Sequence, residues 1–200
     1  LTTLSSDDTP ARVRRLCSKA LRPLKQELSN DLGITSLNLT VGAVCVYHAL
    51  VETAAIALKG SNIPVAAVST GFPHGLSPLP RRIEEIQDSV SAGALEIDIV
   101  ITRAHVFSGN WEALYQEIKS FREACGDSHL KTILGTGELG SLRNVAKASL
   151  VSMMAGADFI KTSTGKESQN ATLPVSLVML RMIRDYHQKT GHKAGFKPAG

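Results

Sequence analysis

The chain has 200 residues, of which 43% are hydrophobic and 20% are charged. These proportions are ordinary for a folded globular protein, so they exclude disordered and fibrous classes. The formal net charge is +4, and the 22 basic residues are interspersed with 18 acidic ones, so the charge favours anionic ligands only weakly. Aromatic residues make up 4% of the chain, which argues against a base-stacking nucleic-acid surface. We therefore expect one domain over residues 1–200 and no nucleic-acid partner.

Cysteine and histidine spacings argue against disulfides and metal sites. The three cysteines, Cys17, Cys45 and Cys125, are far apart and have no CxxC spacing. The six histidines contain no HExxH pair. No apolar run approaches the roughly 18 residues of a membrane span, and the first residues do not read as a signal peptide. We therefore predict no metal, no cofactor held by these residues, no membrane association, and a reducing, cytoplasmic location.

Strand and helix patterns alternate along the chain. Short apolar runs predict strands at 42–47, 63–69, 96–101, 131–134, 159–162 and near 196. Helical spacing predicts helices from Pro10 to Pro23, at about 48–59, 80–92, 111–124 and 141–155, and from Pro174 onwards, with 25–41 as a polar connection. Such alternation predicts a parallel sheet covered by helices, either a closed barrel or an open doubly wound sheet. In both folds the functional site lies at the carboxyl ends of the strands.

Capping residues mark several of the predicted helix starts. Thr9 precedes Pro10, Asn110 precedes the helix at 111–124, and Ser141 begins the helix at 141–155. The last helix is expected to turn four apolar residues toward the core, namely Leu177, Val178, Leu180 and Ile183.

Three predicted strands carry an ionisable residue inside or at the end of an apolar run. These residues are Asp98, Lys161 and Lys197. A charge in a strand buried on both faces is costly unless it is paired, so we expect all three to point into one shared pocket. Two lysines and a carboxylate suit amine catalysis, with one lysine as nucleophile and the other as the cation that favours its neutral form. A salt-bridge cluster that only stabilises the sheet is the alternative interpretation.

Two glycine motifs and one cysteine have weaker functional interpretations. Gly135–Gly140 matches GxGxxG after a strand, but it lies late in the chain and Asp158 precedes a strand, so a tight turn is favoured over a dinucleotide site. Thr164–Lys166 contains the GK pair of a P-loop without its first glycine, although its hydroxyl, amide and lysine suit a single phosphate group. Cys45 lies in an apolar strand and is interpreted as core.

The chain resembles the deoxyribose-phosphate aldolase family, class I aldolases with a TIM barrel, and its animal members most. The two most specific motifs are Phe159–Lys166 and Gly195–Gly200. Further matching segments in the same order are Leu1–Leu4, Val44–Tyr47, Gly71–Gly75, Glu96–Val100 and Thr136–Leu139. The resemblance therefore covers essentially the whole sequence, and it implies a TIM (β/α)8 barrel in which Leu1–Leu4 is the first strand.

The resemblance also implies an activity and a role for each site residue. The expected reaction cleaves 2-deoxy-D-ribose 5-phosphate to D-glyceraldehyde 3-phosphate and acetaldehyde, a step in deoxyribose phosphate catabolism. Lys161 would form the Schiff base, Lys197 would keep Lys161 neutral, and Asp98 would accept a proton through a water. Two groups of residues would assist: Lys131 and Thr2 around Asp98, and Thr164, Gly165 and Lys166 beside the substrate. Neither a metal nor a cofactor is implied, and a homodimer is the oligomer we consider.

Members of this family have further residues at both ends of the matched region. They begin earlier, with an acidic residue, and continue past the position of Gly200 through another helix, an eighth strand and phosphate-binding backbone. The 200 residues are therefore interpreted as a single barrel domain that is incomplete at both ends and truncated before the eighth strand. We expect a polypeptide that ends at Gly200 to be poorly soluble or inactive, and a longer product to contain it.

Three other functions remain open at this stage. A Schiff-base aldolase for a different sugar phosphate would use the same lysine, and a substrate panel would separate it. A binding or scaffold protein with this fold would bind ligand without forming an imine. An NAD enzyme would rest on the GxGxxG match alone, and NAD titration would test it.

Overall fold

The structure is a computed structural model that describes residues 1–199. The described residues form two compact units, the first made of Leu1–Val68 with Asp88–Glu96 and the second of Ser69–Gln87 with residues 97–199. Gly200, the last residue of the Gly195–Gly200 motif, lies outside the described residues. The interpretation of residues 1–200 as one barrel domain stays a prediction.

Most of the first unit consists of helices and two parallel strands. Its elements are α1 at Pro10–Leu21, α2 at Gln26–Asp31, β1 at Val44–Tyr47, α3 at Val51–Ala57 and β2 at Val65–Ser69, with 3₁₀ turns at Thr35–Leu37 and His48–Leu50. β1 and β2 pair in parallel, with Val44 opposite Val65. α1 packs against α3 and β1, and Val13, Cys17 and Ala54 are fully buried there. The interpretation of Cys45 as core is confirmed, since it is buried in β1.

The helix α4 spans Leu79–Ser91, and the elements that follow it contain the charged strands. They are β3 at Glu96–Val100, α5 at Arg103–Phe107, α6 at Trp111–Cys125, β4 at His129–Ile133, α7 at Leu142–Met154, β5 at Phe159–Lys161, α8 at Leu173–Thr190 and β6 at Gly195–Lys197. The strands β3, β4, β5 and β6 are neighbours in that order. β4 pairs with β5, and β5 with β6, in parallel. The predicted alternation of parallel strands with helices is confirmed.

The predicted helix caps are confirmed at three positions. The side chain of Thr9 accepts from the Arg12 amide, that of Asn110 from the Ala113 amide, and that of Ser141 from the Asn144 amide. Each side chain satisfies a backbone donor that has no partner inside the helix. The capping residues therefore set where these helices begin.

Three predictions of local structure differ from what is observed. Leu177 and Leu180 do not face the core, since they are 50% and 47% exposed; α8 instead turns Met179, which is fully buried, toward its neighbours. Helix α5 was not predicted, because its five residues are too few to show periodicity. The first strand is reduced to a single parallel bridge between Thr2 and Cys45.

A buried ion pair holds the carboxyl end of β3. The Arg82 guanidinium lies 2.7 Å from Glu117 Oε1, and both side chains are nearly inaccessible. Arg82 also donates to the carbonyls of Val100 and Thr70, while Glu117 accepts from the Thr102 amide at 2.9 Å. Burial of such a pair is tolerated because each remaining polar group has a partner. The pair therefore fixes the backbone that follows Asp98 in β3.

Among residues 1–199, no helix is long and apolar enough to cross a membrane.

Candidate functional site

The site is a buried cluster of one carboxylate and two lysines in the second unit. Lys161 Nζ lies 2.7 Å from Asp98 Oδ2, and Lys131 Nζ lies 2.8 Å from Asp98 Oδ1. The three side chains are 3% to 7% exposed. The structure therefore brings Asp98 and Lys161 together, with Lys131 on the second carboxylate oxygen.

Strand register explains why these three side chains meet. Successive side chains of a strand point to opposite faces of the sheet. Ile97, Leu130 and Ile160 are fully buried on one face of their strands, so Asp98, Lys131 and Lys161, each next in sequence to one of them, share the other. Apolar residues thus cover one face while the ionisable groups meet on the other.

Burial and the neighbouring lysine charges shift the pKa of the Asp98 carboxyl in opposite directions. Burial raises the pKa of the Asp98 carboxyl, whereas the charges of Lys161 and Lys131, and the hydrogen bonds that they donate, lower it. The lysines outweigh burial, so the pKa of Asp98 lies below its ordinary value. Asp98 is therefore an ionised hydrogen-bond acceptor at neutral pH.

The lowered pKa of Asp98 predicts an acid-dependent loss of stability. A carboxyl whose pKa is lower in the folded state stabilises the fold above its unfolded pKa, and that contribution is lost as the pH falls through the folded value. Urea unfolding of the unsubstituted protein should therefore show stability falling below about pH 4. Asp98→Asn should lower the free energy of unfolding at pH 7 and make it depend less on pH below about pH 4. Asp127→Asn, in an exposed turn, is the matched control, and an unchanged slope in Asp98→Asn would contradict the assignment.

Lys197 is placed differently from the expectation. It is opposite Lys161 in the parallel register of β5 and β6, so the two side chains leave the sheet on the same face. However, Lys197 is exposed rather than buried in a shared pocket. The reason is that β6 is the last strand in the described order and pairs only with β5 there. The three residues are thus aligned, but only Asp98 and Lys161 are buried together.

The turn after β5 is held by its own side chains. Glu167 Oε2 accepts from the Thr164 amide at 2.8 Å, and Thr164 Oγ1 accepts from the Lys166 amide at 3.0 Å. Thr164 is buried, whereas Gly165 and Lys166 are exposed. The groups of this turn that face solvent are therefore those of Gly165 and Lys166.

Thr2 belongs to the first unit, whereas Asp98 and the lysines belong to the second. Its backbone bridges to Cys45 in β1. The role that the resemblance implies for Thr2 stays a prediction.

Packing explains two of the three glycines of the GxGxxG match. Gly135 has a φ of +67°, and a Cβ built on it would lie 2.8 Å from Arg103 Nε. A Cβ on Gly137 would lie 2.4 Å from the backbone oxygen of Gln169. Both positions therefore exclude a side chain because other loops approach them closely. The tight turn that the sequence favoured accounts for this motif.

Two residues that follow the charged strands were not identified from the sequence. Arg103 contacts His74, Glu138 and Glu167, which are distant from it in sequence, and Glu167 also accepts from the Thr164 amide. Neither belongs to a motif, and both follow strands by a few residues, which is the one signal available to sequence reasoning. Within residues 1–199 there is no group of three or more His, Cys, Asp or Glu side chains that could hold a metal ion.

Comparison with known proteins gives consistent matches. A family model described as DeoC/LacD family aldolase matches residues 1–200. Curated proteins called deoxyribose-phosphate aldolase from Homo sapiens and Mus musculus are 59% and 61% identical to the chain over 202 residues, with 100% of this chain covered. The chain spans 64% of the length of these curated relatives.

Solved structures show the same fold. A putative deoxyribose-phosphate aldolase from Coccidioides immitis has a TM-score of 0.82 at 25% identity, covering 98% of this chain and 69% of that one. A deoxyribose phosphate aldolase from Aeropyrum pernix has a TM-score of 0.74 at 22% identity, covering 100% and 74%. These likenesses confirm the predicted fold class, an α/β fold of the TIM-barrel type. On the match of the family model to all 200 residues, the chain belongs to the DeoC/LacD aldolase family.

Proposed function

We propose that this protein is a class I aldolase that cleaves 2-deoxy-D-ribose 5-phosphate to D-glyceraldehyde 3-phosphate and acetaldehyde. The observation that carries the proposal is the buried contact between Lys161 Nζ and Asp98 Oδ2, at 2.7 Å. Relatives called deoxyribose-phosphate aldolase, 59% to 61% identical over the whole chain, support the substrate.

Lys161 is the proposed nucleophile, and the charge of its cluster suits that role. An amine attacks a carbonyl only in its neutral form. Lys161 and Lys131 share the single carboxylate of Asp98, so two protonated lysines leave one net positive charge. Lys131 remains as the counter-charge of Asp98 when Lys161 reacts.

The proposed chemistry breaks one carbon–carbon bond. The Lys161 amine adds to C1 of the open-chain aldehyde, and loss of water gives a protonated imine. Asp98, through a water, accepts the proton of the C3 hydroxyl. The C2–C3 bond then breaks, its electron pair moves toward the imine, and glyceraldehyde 3-phosphate leaves. The remaining enamine takes a proton at C2, and hydrolysis releases acetaldehyde and Lys161. The protonated imine is the electron sink in this scheme.

We assign the substrate's phosphate end to the turn after β5. Gly165 and Lys166 are exposed there, and a backbone amide beside a lysine suits a phosphate oxygen. Thr164 is buried and hydrogen-bonded within the turn, so its proposed contribution is to hold the turn in shape. Thr2 remains a proposed support for the network around Asp98.

Lys197 is proposed to be the cation that favours the neutral form of Lys161. Its register position opposite Lys161 supports this role. A cation near an amine disfavours protonation of that amine.

A substrate panel tests the proposed reaction. Release of glyceraldehyde 3-phosphate, the product that aldol cleavage of each sugar would give, is measured with the full-length protein on 2-deoxyribose 5-phosphate, ribose 5-phosphate and fructose 1,6-bisphosphate. We expect turnover of the deoxy sugar at a kcat/KM at least about 10²-fold above the others. If another sugar phosphate were cleaved preferentially, that sugar would be the substrate instead of 2-deoxyribose 5-phosphate. Binding of these sugars without cleavage of any of them would favour a scaffold protein.

We further propose a cytoplasmic location and a homodimer. The structure contains no disulfide among its described residues, and Cys17 and Cys125 are buried, which suits a reducing compartment. Cell fractionation tests the location, and sedimentation equilibrium of the full-length protein tests the oligomeric state.

A further inference from the structure

Arg103 lies where several loops of the second unit meet at the carboxyl ends of the strands. It follows β3 by three residues, and its Nε donates to Glu138 Oε2, in the loop after β4, at 2.7 Å. Its Nη1 donates to the carbonyl of His74, in the segment before α4, at 3.3 Å. The Arg103 side chain is 13% exposed. One guanidinium therefore joins loops from three parts of the chain.

A second carboxylate lies beside the same guanidinium. Glu167 Oε1 is 3.8 Å from Arg103 Nη2, and the Glu167 side chain is 4% exposed. Its other oxygen accepts from the Thr164 amide, whereas Oε1 has no hydrogen-bond partner among the described residues. Arg103 is thus the cation for two carboxylates, Glu138 and Glu167. The three groups together carry one net negative charge.

Close packing holds the backbone segments that carry the two carboxylates against each other. The Arg103 side chain occupies the space that a Cβ on Gly135 would fill, and Gly137 lies against the backbone of Gln169. These contacts hold the loop that contains Glu138 against the segment that contains Glu167. The Glu167 side chain, which is 4% exposed, is therefore held beside the turn, whereas the Glu138 side chain is half-exposed.

We propose that Arg103 is a specificity-determining residue that allows the site to accept a phosphorylated sugar. This inference rests on the proposed function, which assigns the phosphate to the turn at Gly165 and Lys166. Glu167 is the residue that follows this turn, so its charge and that of Glu138 oppose a phosphate unless a cation offsets them. Arg103 offsets one of the two charges and holds Glu167 in place.

Steady-state kinetics on two substrates test this role. Arg103→Met leaves two net negative charges, so KM for 2-deoxyribose 5-phosphate should rise about tenfold. KM for unphosphorylated 2-deoxyribose should change by less than about twofold, and kcat for both should stay within about twofold. Arg103→Met combined with Glu138→Gln restores one net negative charge, and should return the ratio of the two KM values to within about threefold of the original.

Two controls separate this role from a purely structural one. Arg184→Met removes the same charge from the exposed face of α8, where Arg184 pairs only with Asp185 in the described contacts, and should leave the KM ratio unchanged. The double variant keeps the test available if Arg103→Met does not fold. Equal KM increases for both substrates, or a double variant that keeps the altered ratio, would overturn the inference. Borohydride reduces an imine between lysine and substrate to a stable adduct, so treating the unsubstituted protein with substrate and borohydride tests the proposed function separately. If no adduct forms, the proposed function fails and this inference fails with it.

Discussion

Replacing Lys161 by alanine is expected to abolish cleavage of 2-deoxyribose 5-phosphate, lowering kcat by about 10⁴-fold or more. No other amine among the described residues occupies its position on the buried carboxylate, since Lys131 contacts the opposite oxygen of Asp98. The variant should still fold, because Lys131 keeps Asp98 paired. The measurement is acetaldehyde release together with a circular dichroism spectrum of each protein.

The matched control for this variant is Lys119→Ala. Lys119 is exposed on α6, so replacing it removes one lysine side chain and leaves the contacts between Asp98 and its two lysines unchanged. Its kcat should stay within about twofold of the original. Substantial cleavage by a folded Lys161→Ala variant would remove Lys161 from the role of nucleophile.

Replacing Lys197 by leucine is expected to give the second largest loss, about 10²-fold in kcat. Leucine keeps much of the side chain's volume while removing the charge that we propose acts on Lys161. Lys197→Arg retains a positive charge at the same register position and should stay within about tenfold of the original. The exposure of Lys197 means that neither substitution creates a buried cavity.

A difference between the two Lys197 variants is the decisive result. Leucine and arginine losses of the same size would mean that the charge is not what matters. Unchanged turnover in Lys197→Leu would leave Lys161, Asp98 and Lys131 as the whole catalytic group.

The alternation of strands and helices could be predicted from the sequence because each element carries a local signal. Thr9, Asn110 and Ser141 mark helix starts through hydrogen bonds to amides only three residues away. The apolar runs around Asp98 and Lys161 marked buried strands. The cost of an unpaired buried charge predicted one pocket for Asp98, Lys161 and Lys197, and the first two are in contact whereas Lys197 is exposed. Both kinds of inference depend on short stretches of sequence.

Features that depend on contacts between distant segments could not be predicted in this way. The orientation of α8 is set by what packs against it, so Leu177 and Leu180 are exposed although their spacing suits a core face. The direct contact of Lys131 with Asp98 depends on strand register. Arg103 begins the five-residue helix α5 and Glu167 lies in a loop, and neither segment is long enough or regular enough to show a periodic pattern.

Borohydride trapping shows directly whether Lys161 forms a covalent imine with the substrate. The full-length protein is treated with 2-deoxyribose 5-phosphate and borohydride, digested, and mapped by mass spectrometry. Reduction makes the imine permanent, so we expect one substrate-dependent adduct, on the peptide that contains Lys161. No adduct, or an adduct on Lys197 or Lys131 with Lys161 unmodified, would contradict it.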